Sequence, residues 1–252
     1  MGGRFEARLF VPDSLAAGVE LTLARGQAHY LANVLRLKRG DVVALFNGRD
    51  GEWLARIGSL AKNGAAMEVE ARRRDQAPEP DLWLVFAPVK RAPLDFLVQK
   101  ATELGVSALV PAITRRTIVG RVRRERMEAN AIEAAEQCQR LTVPHIRDAA
   151  PLLRILDDWP EGRQILLCAE TGVAEPIHDV LERGGHARPC AVLTGPEGGF
   201  EQTELDALGK LPFVTSVGLG PRILRADTAA LAALACWQSA LGDWWMRPSG
   251  RI

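Results

Sequence analysis

A chain of 252 residues is long enough to form one large domain, or two smaller ones, with a buried core. Hydrophobic residues make up 47% of it and charged residues 25%, with a formal net charge of +1, which is the composition of an ordinary globular protein. No apolar run reaches the roughly 18 residues that a membrane span needs. The N-terminal residues also lack the continuous apolar stretch of a signal peptide, so we expect a cytoplasmic protein that has no membrane partner.

The cysteines are spaced irregularly along the chain, at Cys138, Cys168, Cys190 and Cys236. None belongs to a C-x-x-C pair, and the four histidines are scattered. The spacing therefore predicts neither a metal site nor a disulfide framework. Because free cysteines are among the most buried residues in proteins, we expect buried thiols at these positions.

Arginines are concentrated in two segments of the chain. One segment is the run at 72–74. The other has a single acid, Glu125, among six arginines: Arg115, Arg116, Arg121, Arg123, Arg124 and Arg126. Arginine is suited to bidentate contacts with phosphate, but a basic cluster is also a common form of solvated surface. Both interpretations remain open from the sequence.

The first part of the chain predicts a small β-domain. Apolar or alternating runs predict four strands, at 8–11, 42–46, 52–57 and 67–71. A short helix is predicted over 27–35. We expect a compact β-barrel over residues 1–74, followed by a linker over 75–81, which contains two prolines and three acidic residues.

From residue 82 onward, apolar strands alternate with helical patterns. Strands are predicted at 82–87, 106–110, 165–169, 190–194 and 214–219. Helices are predicted at 94–104, 127–138, 175–183, 201–208 and 227–241. The alternation predicts an α/β domain with a largely parallel sheet over residues 82–252.

Three of these predicted strands end in unusual segments that contain glycine: 168–172, 193–200 and 218–225. In open α/β sheets, ligands bind beyond the carboxyl ends of the strands, and glycine lets the backbone approach a ligand closely. Each segment alone can be an ordinary tight turn. Two loops rich in glycine and proline at the ends of strands in one sheet favour a ligand site.

The motifs of several common enzyme classes are absent from the sequence. There is no G-x-x-x-x-G-K-[ST] phosphate loop and no G-x-S-x-G nucleophile elbow. The stretch Gly218-Leu219-Gly220 begins like G-x-G-x-x-G, but Pro221 follows and the third glycine is missing. The sequence therefore does not support a P-loop nucleotide hydrolase, a Rossmann enzyme or a serine hydrolase.

Four segments occur in the order typical of one enzyme family. They are Gln-Lys-Ala-Thr-Glu-Leu-Gly-Val at 99–106, Glu-Ala-Ala-Glu-Gln-Cys-Gln-Arg at 133–140, Gly-Pro-Glu-Gly-Gly-Phe at 195–200 and Leu-Gly-Pro-Arg-Ile-Leu-Arg at 219–225. The stretches His29-Tyr30-Leu31 and Val34-Leu35-Arg36 extend the likeness to the N-terminal region. The whole chain closely resembles the ribosomal RNA small subunit methyltransferase E family.

This resemblance implies a fold, a cofactor and a substrate. Members of the family combine an N-terminal PUA-like β-barrel, which binds RNA, with a SPOUT-type α/β domain that holds a C-terminal deep trefoil knot. They act as homodimers and use S-adenosylmethionine (SAM), without a metal, to methylate ring nitrogen 3 of uridine 1498 (standard ribosomal numbering) of 16S rRNA in the small ribosomal subunit. Two alternatives remain: a related knotted enzyme acting on tRNA or another rRNA site, and a non-catalytic RNA-binding assembly factor.

By the same resemblance, SAM is expected to bind between the loops at the three strand ends. Its adenine is expected to be held mainly by backbone groups of Leu193, Gly195, Gly198, Leu219, Leu224 and Ala226. The expected cofactor-binding set also contains Thr194, Glu197, Gly220 and Arg225. Backbone recognition would explain why these segments are rich in glycine and not in charge. The alternative is that they form only the core of a knot.

Arg225 is the first catalytic candidate that the resemblance suggests. Ring nitrogen 3 of uridine carries a proton at neutral pH, and a guanidinium would stabilise the anion that forms when this proton leaves. The alternative role for Arg225 is a phosphate contact. A carboxylate whose pKa is raised by burial is a candidate for the base, and Glu103, Glu136 and Glu197 remain open. Glu103 can also be only the ion-pair partner of Lys100 on its helix.

Further residues are expected to contact RNA or a partner subunit. Phosphate contacts are expected from Arg115, Arg116, Arg140 and Arg222. Helical spacing places one polar set on a single face, directed at RNA, a partner subunit or solvent: Glu133, Glu136, Gln137 and Arg140.

Two positions depart from the family pattern. The family usually has Thr-Glu-Thr where this chain has Ala226-Asp227-Thr228, and we expect Asp227 to cap the last helix. The usual Gly-Asp-Arg turn before the first helix of the α/β domain is Arg91-Ala92-Pro93 here. Substrate contacts from that turn are therefore in doubt.

Overall fold

The computed structural model describes residues 5–118, 122–169, 174–184 and 188–246. These residues divide into two compact units. The N-terminal unit contains the described residues up to Pro78 together with Ala135–Val143. The α/β unit contains Glu79–Ala134 and the described residues from Pro144 onward. Each unit has its own buried hydrophobic core.

A five-stranded sheet forms most of the N-terminal unit. Its strands are β1 (Arg8–Phe10), β2 (Glu20–Leu23), β3 (Val42–Phe46), β4 (Glu52–Ala61) and β5 (Gly64–Arg74). They lie in the order β1-β3-β4-β5-β2, with β1 and β3 parallel and the other neighbours antiparallel. All four predicted strands are present, two of them longer than predicted. The sequence pattern does not predict β2, because its alternation covers only four residues.

One short helix packs on this sheet. Helix α1 spans Arg25–His29, and a π-helical turn continues it over Tyr30–Val34. Ala28 and Leu31 are buried in the core of the unit. The helix predicted over 27–35 is present, but it starts two residues earlier and its second half is π-helical, which periodicity does not reveal.

The α/β unit contains a parallel sheet whose strands alternate with helices. Its strands are β6 (Leu82–Phe86), β7 (Ala108–Ile113), β8 (His145–Ile146), β9 (Ala150–Pro151), β10 (Gln164–Cys168), β11 (Glu175–Pro176), β12 (Cys190–Thr194) and β13 (Val214–Gly218). Its helices are α2 (Arg91–Glu103), α3 (Arg124–Cys138), α4 (Leu152–Asp157), α5 (Ile177–Arg183), α6 (Gln202–Leu208) and α7 (Ala226–Ala240). The last turn of α3 belongs to the N-terminal unit.

The strands of this sheet lie in the order β11-β13-β10-β12-β6-β7-β8, with β9 also paired to β7, and every pairing is parallel. All residues of β6 and β12 are buried, as strands covered on both faces should be. The prediction of an α/β domain with a parallel sheet is confirmed. The sequence pattern does not predict β8, β9, β11 or α4, because these elements are too short to show periodicity. The helix predicted over 175–183 begins only at Ile177, since Glu175 and Pro176 form β11. Within the described ranges, no helix is both long enough and apolar enough to cross a membrane.

A buried carboxylate lies inside the N-terminal unit. Glu52 is fully buried, and it accepts hydrogen bonds from the guanidinium groups of Arg8 (2.6 Å), Arg74 (2.6 Å) and Arg73. Burial raises the pKa of Glu52, but the hydrogen bonds and charges of Arg74 and Arg8 outweigh burial and lower its pKa to about 2. Two members of the arginine run at 72–74 therefore belong to an internal ion cluster, so neither sequence interpretation of that run holds for them.

The same arginines hold the segment Ala135–Val143 within the N-terminal unit. Arg8 donates to the carbonyl oxygens of Ala135 (2.6 Å) and Arg140 (2.5 Å), and Arg74 donates to that of Gln139 (2.9 Å). The carbonyl groups at the C-terminal end of a helix carry partial negative charge, so cationic donors are favourable there. The ion cluster therefore joins the sheet of this unit to the end of α3.

The cysteines are only partly buried, contrary to the sequence prediction. Cys190 is buried and Cys168 is partly buried, but Cys138 and Cys236 are exposed. Cys138 is the last residue of α3, and Cys236 is not among the buried residues of α7, so neither belongs to a core. All four are free thiols, and burial raises the pKa of Cys168 and of Cys190 to about 12.

Candidate functional site

The three strands that end in unusual segments are neighbours in the α/β sheet. Strand β10 lies between β12 and β13, and Cys168 of β10 is level with Thr194 on one side and Val217 on the other. Since all three strands are parallel, their carboxyl ends lie at one edge of the sheet. The loops that follow β12 and β13 are described in full, whereas residues 170–172 of the first segment lie outside the described residues.

A cavity of about 710 Å³ lies at this edge. Nine of the ten predicted cofactor-binding residues line it: Thr194, Gly195, Glu197, Gly198, Leu219, Gly220, Leu224, Arg225 and Ala226. Leu193 is not among the lining residues, and its side chain is fully buried in the sheet. Residues that the prediction did not place in the cofactor-binding set also line the cavity, among them Arg116, Cys168, Phe200 and Ile223. The volume is in the range of small-molecule sites in proteins, roughly 300–1,000 Å³.

The loop after β12 is shaped by glycine and by Phe200. A Cβ atom at Gly195 would lie 2.9 Å from a carbon of the Phe200 ring, so only glycine fits there without displacement. Gly199 has a φ of 68° and donates a backbone hydrogen bond to the carbonyl of Pro196 (2.9 Å). The loop then enters α6 through a capping box in which Glu201 and Glu204 satisfy each other's backbone N–H groups.

Glu204 also fixes the loop that follows β7. This buried carboxylate accepts hydrogen bonds from the backbone N–H groups of Glu201 (3.0 Å) and Arg115 (2.9 Å). The residues after β7 are further held by a hydrogen bond from the N–H of Thr114 to the hydroxyl of Thr117 (2.9 Å). The sequence alone does not mark Glu204 as a functional residue, because an acidic residue in the first turn of a helix is common.

Arg116 extends from that loop to the cavity. Its guanidinium donates to the carbonyl oxygen of Gly198 (2.7 Å). The side chain is exposed and lines the cavity. The backbone of Arg115 is fixed by Glu204, but Arg115 is not among the lining residues, and its side chain is exposed. Two consecutive arginines predicted to contact RNA therefore differ in their surroundings.

The loop after β13 brings two more guanidinium groups to the cavity. Arg222 and Arg225 are exposed and line it, and Gly220 between strand and helix has a φ of 94°. Arg225 is the N-cap residue of α7. Together with Arg116, three guanidinium groups line the cavity, and the carboxylate among the lining residues belongs to Glu197. The lining is therefore suited to anionic groups, as a phosphate or an anionic base would require.

The other two carboxylates predicted as bases lie elsewhere. Glu103 forms an ion pair with Lys100 (2.6 Å) on α2, as the spacing predicts. Glu136 belongs to the N-terminal unit and accepts a hydrogen bond from the backbone N–H of Phe10 (2.9 Å). Arg140, in the same unit, donates to the hydroxyl of Thr142 (2.8 Å). None of these residues lines the cavity in the described part of the chain.

Two arginines of the second segment form ion pairs at the surface with acidic residues of the same chain. Arg124 pairs with Glu128 (2.7 Å) and Asp148 (3.3 Å), and Arg126 pairs with Asp95. Arg121 lies outside the described residues. Because Arg124 and Arg126 are paired with acidic side chains, the interpretation as a solvated surface is favoured over phosphate contacts for these two residues.

Asp227 does not cap α7 in the way the sequence suggests. The N-cap position belongs to Arg225, and Asp227 lies in the first turn of the helix. Its carboxylate accepts a hydrogen bond from the backbone N–H of Thr228 (2.8 Å). Asp227 still favours the helix through its charge near the N-terminus. The expected N-cap position is wrong, because the helix begins one residue before Asp227, whereas the expected acidic residue at the N-terminus of the helix is confirmed.

Comparisons with protein families match both units of the chain. A model described as the RNA methyltransferase domain matches residues 76–238. A second model, described as the RNA methyltransferase PUA domain, matches residues 23–70. The first match covers the strands and loops that form the cavity, and the second covers most of the N-terminal sheet.

Relatives of known name and structure match nearly the whole chain. The ribosomal RNA small subunit methyltransferase E of Rickettsia conorii is 34% identical over 231 residues, which is 90% of this chain and 93% of the relative. The crystal structure of the enzyme of that name from Neisseria gonorrhoeae, bound to S-adenosyl methionine, matches with a TM-score of 0.85 and 30% identity, over 94% of this chain and 99% of that one. A Legionella pneumophila protein in complex with bound SAM matches with a TM-score of 0.83 and 27% identity, over 96% of this chain and all of that one. This chain belongs to the ribosomal RNA small subunit methyltransferase E family.

Proposed function

We propose that this protein transfers the methyl group of SAM to ring nitrogen 3 of uridine 1498 of 16S rRNA in the small ribosomal subunit. The observation that carries the proposal is the cavity formed by glycine-rich loops at the carboxyl ends of adjacent strands. A protein of the same fold and family, from Neisseria gonorrhoeae, was crystallised with S-adenosyl methionine. The N-terminal unit, which matches a PUA domain of RNA methyltransferases, is expected to bind the RNA.

The residues that line the cavity fit SAM. The volume suffices for a molecule of that size. Gly195, Gly198 and Gly220 line the cavity without side chains, so the hydrogen-bonding edge of an adenine can approach their backbone closely. Leu193 can contribute its backbone but not its buried side chain. When bound, SAM supplies an electrophilic methyl group.

The side chains of the lining have complementary roles toward the uridine. Arg225 lines the cavity, and we propose that its guanidinium stabilises the negative charge that develops on the uracil oxygens as the proton leaves ring nitrogen 3. A guanidinium keeps its proton in proteins, so another group must act as the base. Glu197 is the candidate base that lines the cavity, while Glu103 and Glu136 would need a partner subunit or the RNA to bring them to the substrate. We propose phosphate contacts for Arg115, Arg116, Arg140 and Arg222.

The remaining family properties are proposals of the same kind. We propose a deep trefoil knot of the SPOUT type around the loops at 193–200 and 218–225, a homodimer, and a cytoplasmic location. We also propose that residues 1–74 form the RNA-binding domain, 75–81 the linker and 82–252 the catalytic domain. The glycine-rich motifs describe the cofactor site better than the target, so the substrate needs its own test.

Deleting the gene tests the target in the cell. We expect 16S rRNA from the deletion strain to lack 3-methyluridine when its nucleosides are measured by mass spectrometry, and a plasmid copy of the wild-type gene to restore it. Unchanged 3-methyluridine in 16S rRNA, with a modification lost from tRNA instead, would overturn the rRNA target. An unchanged set of modified nucleosides in all RNAs would favour an assembly factor.

Substituting Gly195 tests the cavity as the SAM site. In Gly195→Ala, the added Cβ would lie 2.9 Å from the Phe200 ring, so the ring and the loop must move. We expect the affinity for SAM, measured by isothermal titration calorimetry, to fall about tenfold or more, since a displacement of this size disrupts a preformed site. Gly58→Ala is the matched control, because its Cβ would make an ordinary contact of 3.5 Å in the N-terminal unit. Equal SAM affinities in the two variants would contradict the assignment.

A further inference from the structure

The N-terminal unit has an exposed face that none of the roles above uses. It is formed by α1, the π-helical turn and the residues that follow, and we call it the Tyr30 face: Arg25, Tyr30, Val34, Arg36, Lys38 and Arg39. The inner side of the same helix is buried, with Ala28 and Leu31 in the core. The outer side is solvent-exposed, with Tyr30 at 41% and Val34 at 60% of their full exposure. An exposed aromatic side chain beside an exposed aliphatic one is a surface for contact with a flat apolar group.

The Tyr30 face is rich in positive charge. Residues 24–40 contain four cations and no aspartate or glutamate. All four side chains are exposed, and in the described part of the chain none of them takes part in an ion pair. The nearest acid in sequence, Asp41, accepts a hydrogen bond from the backbone N–H of Lys38 (2.7 Å). Glu68 and Glu70 lie on the face of β5 opposite its core residues. Glu70 is paired with Arg56, whose guanidinium also donates to the carbonyl oxygen of Gly40 (2.8 Å) next to Arg39.

Arg36 is held in a backbone conformation that is costly for arginine. It has a φ of 58°, and the N–H of the next residue, Leu37, donates to the carbonyl of Leu31 (2.9 Å). This left-handed residue ends the helix, a position at which glycine is the usual choice. Arginine is less stable there than glycine, because its Cβ crowds the backbone. Non-glycine residues in this conformation cluster at functional sites, and π-helical turns are also frequent there.

We infer that the Tyr30 face binds an unpaired segment of RNA, with phosphates against its cations and a base stacked on Tyr30. Cations alone would suit any polyanion, but an exposed tyrosine among them adds a surface on which an unstacked base can lie. A duplex keeps its bases stacked inside and offers no such partner. The inference rests on the proposed function, since it takes RNA to be the substrate. It assigns the binding of that RNA to named residues of the N-terminal unit.

Tyr30 is the only tyrosine of the chain, which gives a direct probe. Full-length protein labelled with fluorotyrosine has a single fluorine NMR resonance. We expect a single-stranded RNA of about 20 nucleotides to shift this resonance, and the same sequence as a duplex to shift it much less. An RNA that binds by fluorescence anisotropy without moving the resonance would overturn the inference, and so would an equal effect of the duplex.

Two substitutions separate binding from stability. Arg36→Gly removes one cation and relieves the strain of the left-handed backbone. We expect the affinity for single-stranded RNA to fall about tenfold, and the slope of log affinity against log salt concentration to decrease in magnitude by about 1. The Tm is expected to stay constant or rise by up to about 3 °C. Tyr30→Leu is expected to lower the RNA affinity by about five- to a hundredfold. The control Lys62→Ala removes an exposed cation at the turn between β4 and β5 and is expected to change it by less than about twofold.

The outcomes distinguish this inference from the proposed function. If Arg36→Gly and Tyr30→Leu bind RNA as the wild type does, the inference fails, even where methyl transfer to 16S rRNA is found. A loss of RNA affinity that appears only together with a loss of Tm also overturns it. If the variants lose RNA affinity as expected but no 16S rRNA methylation is found, the inference stands and the proposed reaction fails.

Discussion

Arg225→Ala is expected to lower the turnover number of methyl transfer by about 10²- to 10³-fold, the usual cost of removing one donor that stabilises a developing anion. Its side chain lines the cavity and is exposed, so removing it leaves the glycine-rich loops in place. We therefore expect the affinity for SAM, measured by calorimetry, to stay within about twofold of the wild type. The variant should bind its cofactor and fail to use it.

The matched control is Arg222→Ala, three residues earlier in the same loop. Arg222 also lines the cavity and is exposed, but its proposed role is a phosphate contact. We expect this variant to raise KM for the ribosomal subunit and to leave kcat nearly unchanged, because uniform binding is lost. A loss of SAM affinity in Arg225→Ala would reassign that residue to the cofactor site. Equal effects of the two variants on kcat would contradict a specific catalytic role.

Glu52→Gln is expected to destabilise the N-terminal unit by about 3–5 kcal/mol, which is the cost of leaving buried cations without their partner. Glu52 is fully buried and binds Arg8, Arg73 and Arg74. Arg8 and Arg74 in turn donate hydrogen bonds to carbonyl groups at and after the end of α3. Hydrogen exchange of the peptides from β3 to β5, followed by mass spectrometry, measures the free energy of opening in this unit alone.

The exposed pair between Arg56 and Glu70 supplies the control. Glu70→Gln removes a carboxylate from the same sheet, but from an ion pair whose side chains are 47% and 34% exposed. We expect a loss of less than about 1 kcal/mol. Similar losses of opening free energy in Glu52→Gln and Glu70→Gln would show that the buried ion cluster contributes no more stability than an exposed ion pair.

The pH dependence of the unit follows from the same carboxylate. The pKa of Glu52 is about 2 in the folded protein, compared with an ordinary value of 4.5. Its stabilising contribution is therefore complete above about pH 4.5 and is lost as the pH falls toward 2. The opening free energy of β3 to β5 in the wild type should decrease across this window. In Glu52→Gln this part of the decrease should be absent.

The sequence predicts those features of the protein that depend on residues close together in the chain. Burial on both faces of β6 and β12 follows from continuous apolar runs, and the site at the sheet edge follows from glycine at the ends of β12 and β13. These signals lie within a few neighbouring residues. The parallel sheet then brings the strand ends together, whatever the length of chain between them.

Features that depend on residues far apart in the sequence cannot be predicted from local pattern. Arg73 and Arg74 look like a surface run until Glu52, more than 20 residues away, is found between them. Glu204 looks like an ordinary helix acid until it meets the backbone of Arg115. The exposure of Cys138 depends on where α3 ends and on what packs beside it, which residue type alone does not reveal.

The central claim is that this protein methylates ring nitrogen 3 of a 16S rRNA uridine, and one transfer assay tests it directly. The purified full-length protein is incubated with labelled SAM and small ribosomal subunits from a strain that lacks the gene, and the labelled nucleoside is identified by mass spectrometry. We predict label in 3-methyluridine of 16S rRNA, and almost none with Arg225→Ala. Label in another nucleoside, label only in tRNA, or no transfer by a protein that binds SAM would contradict the claim.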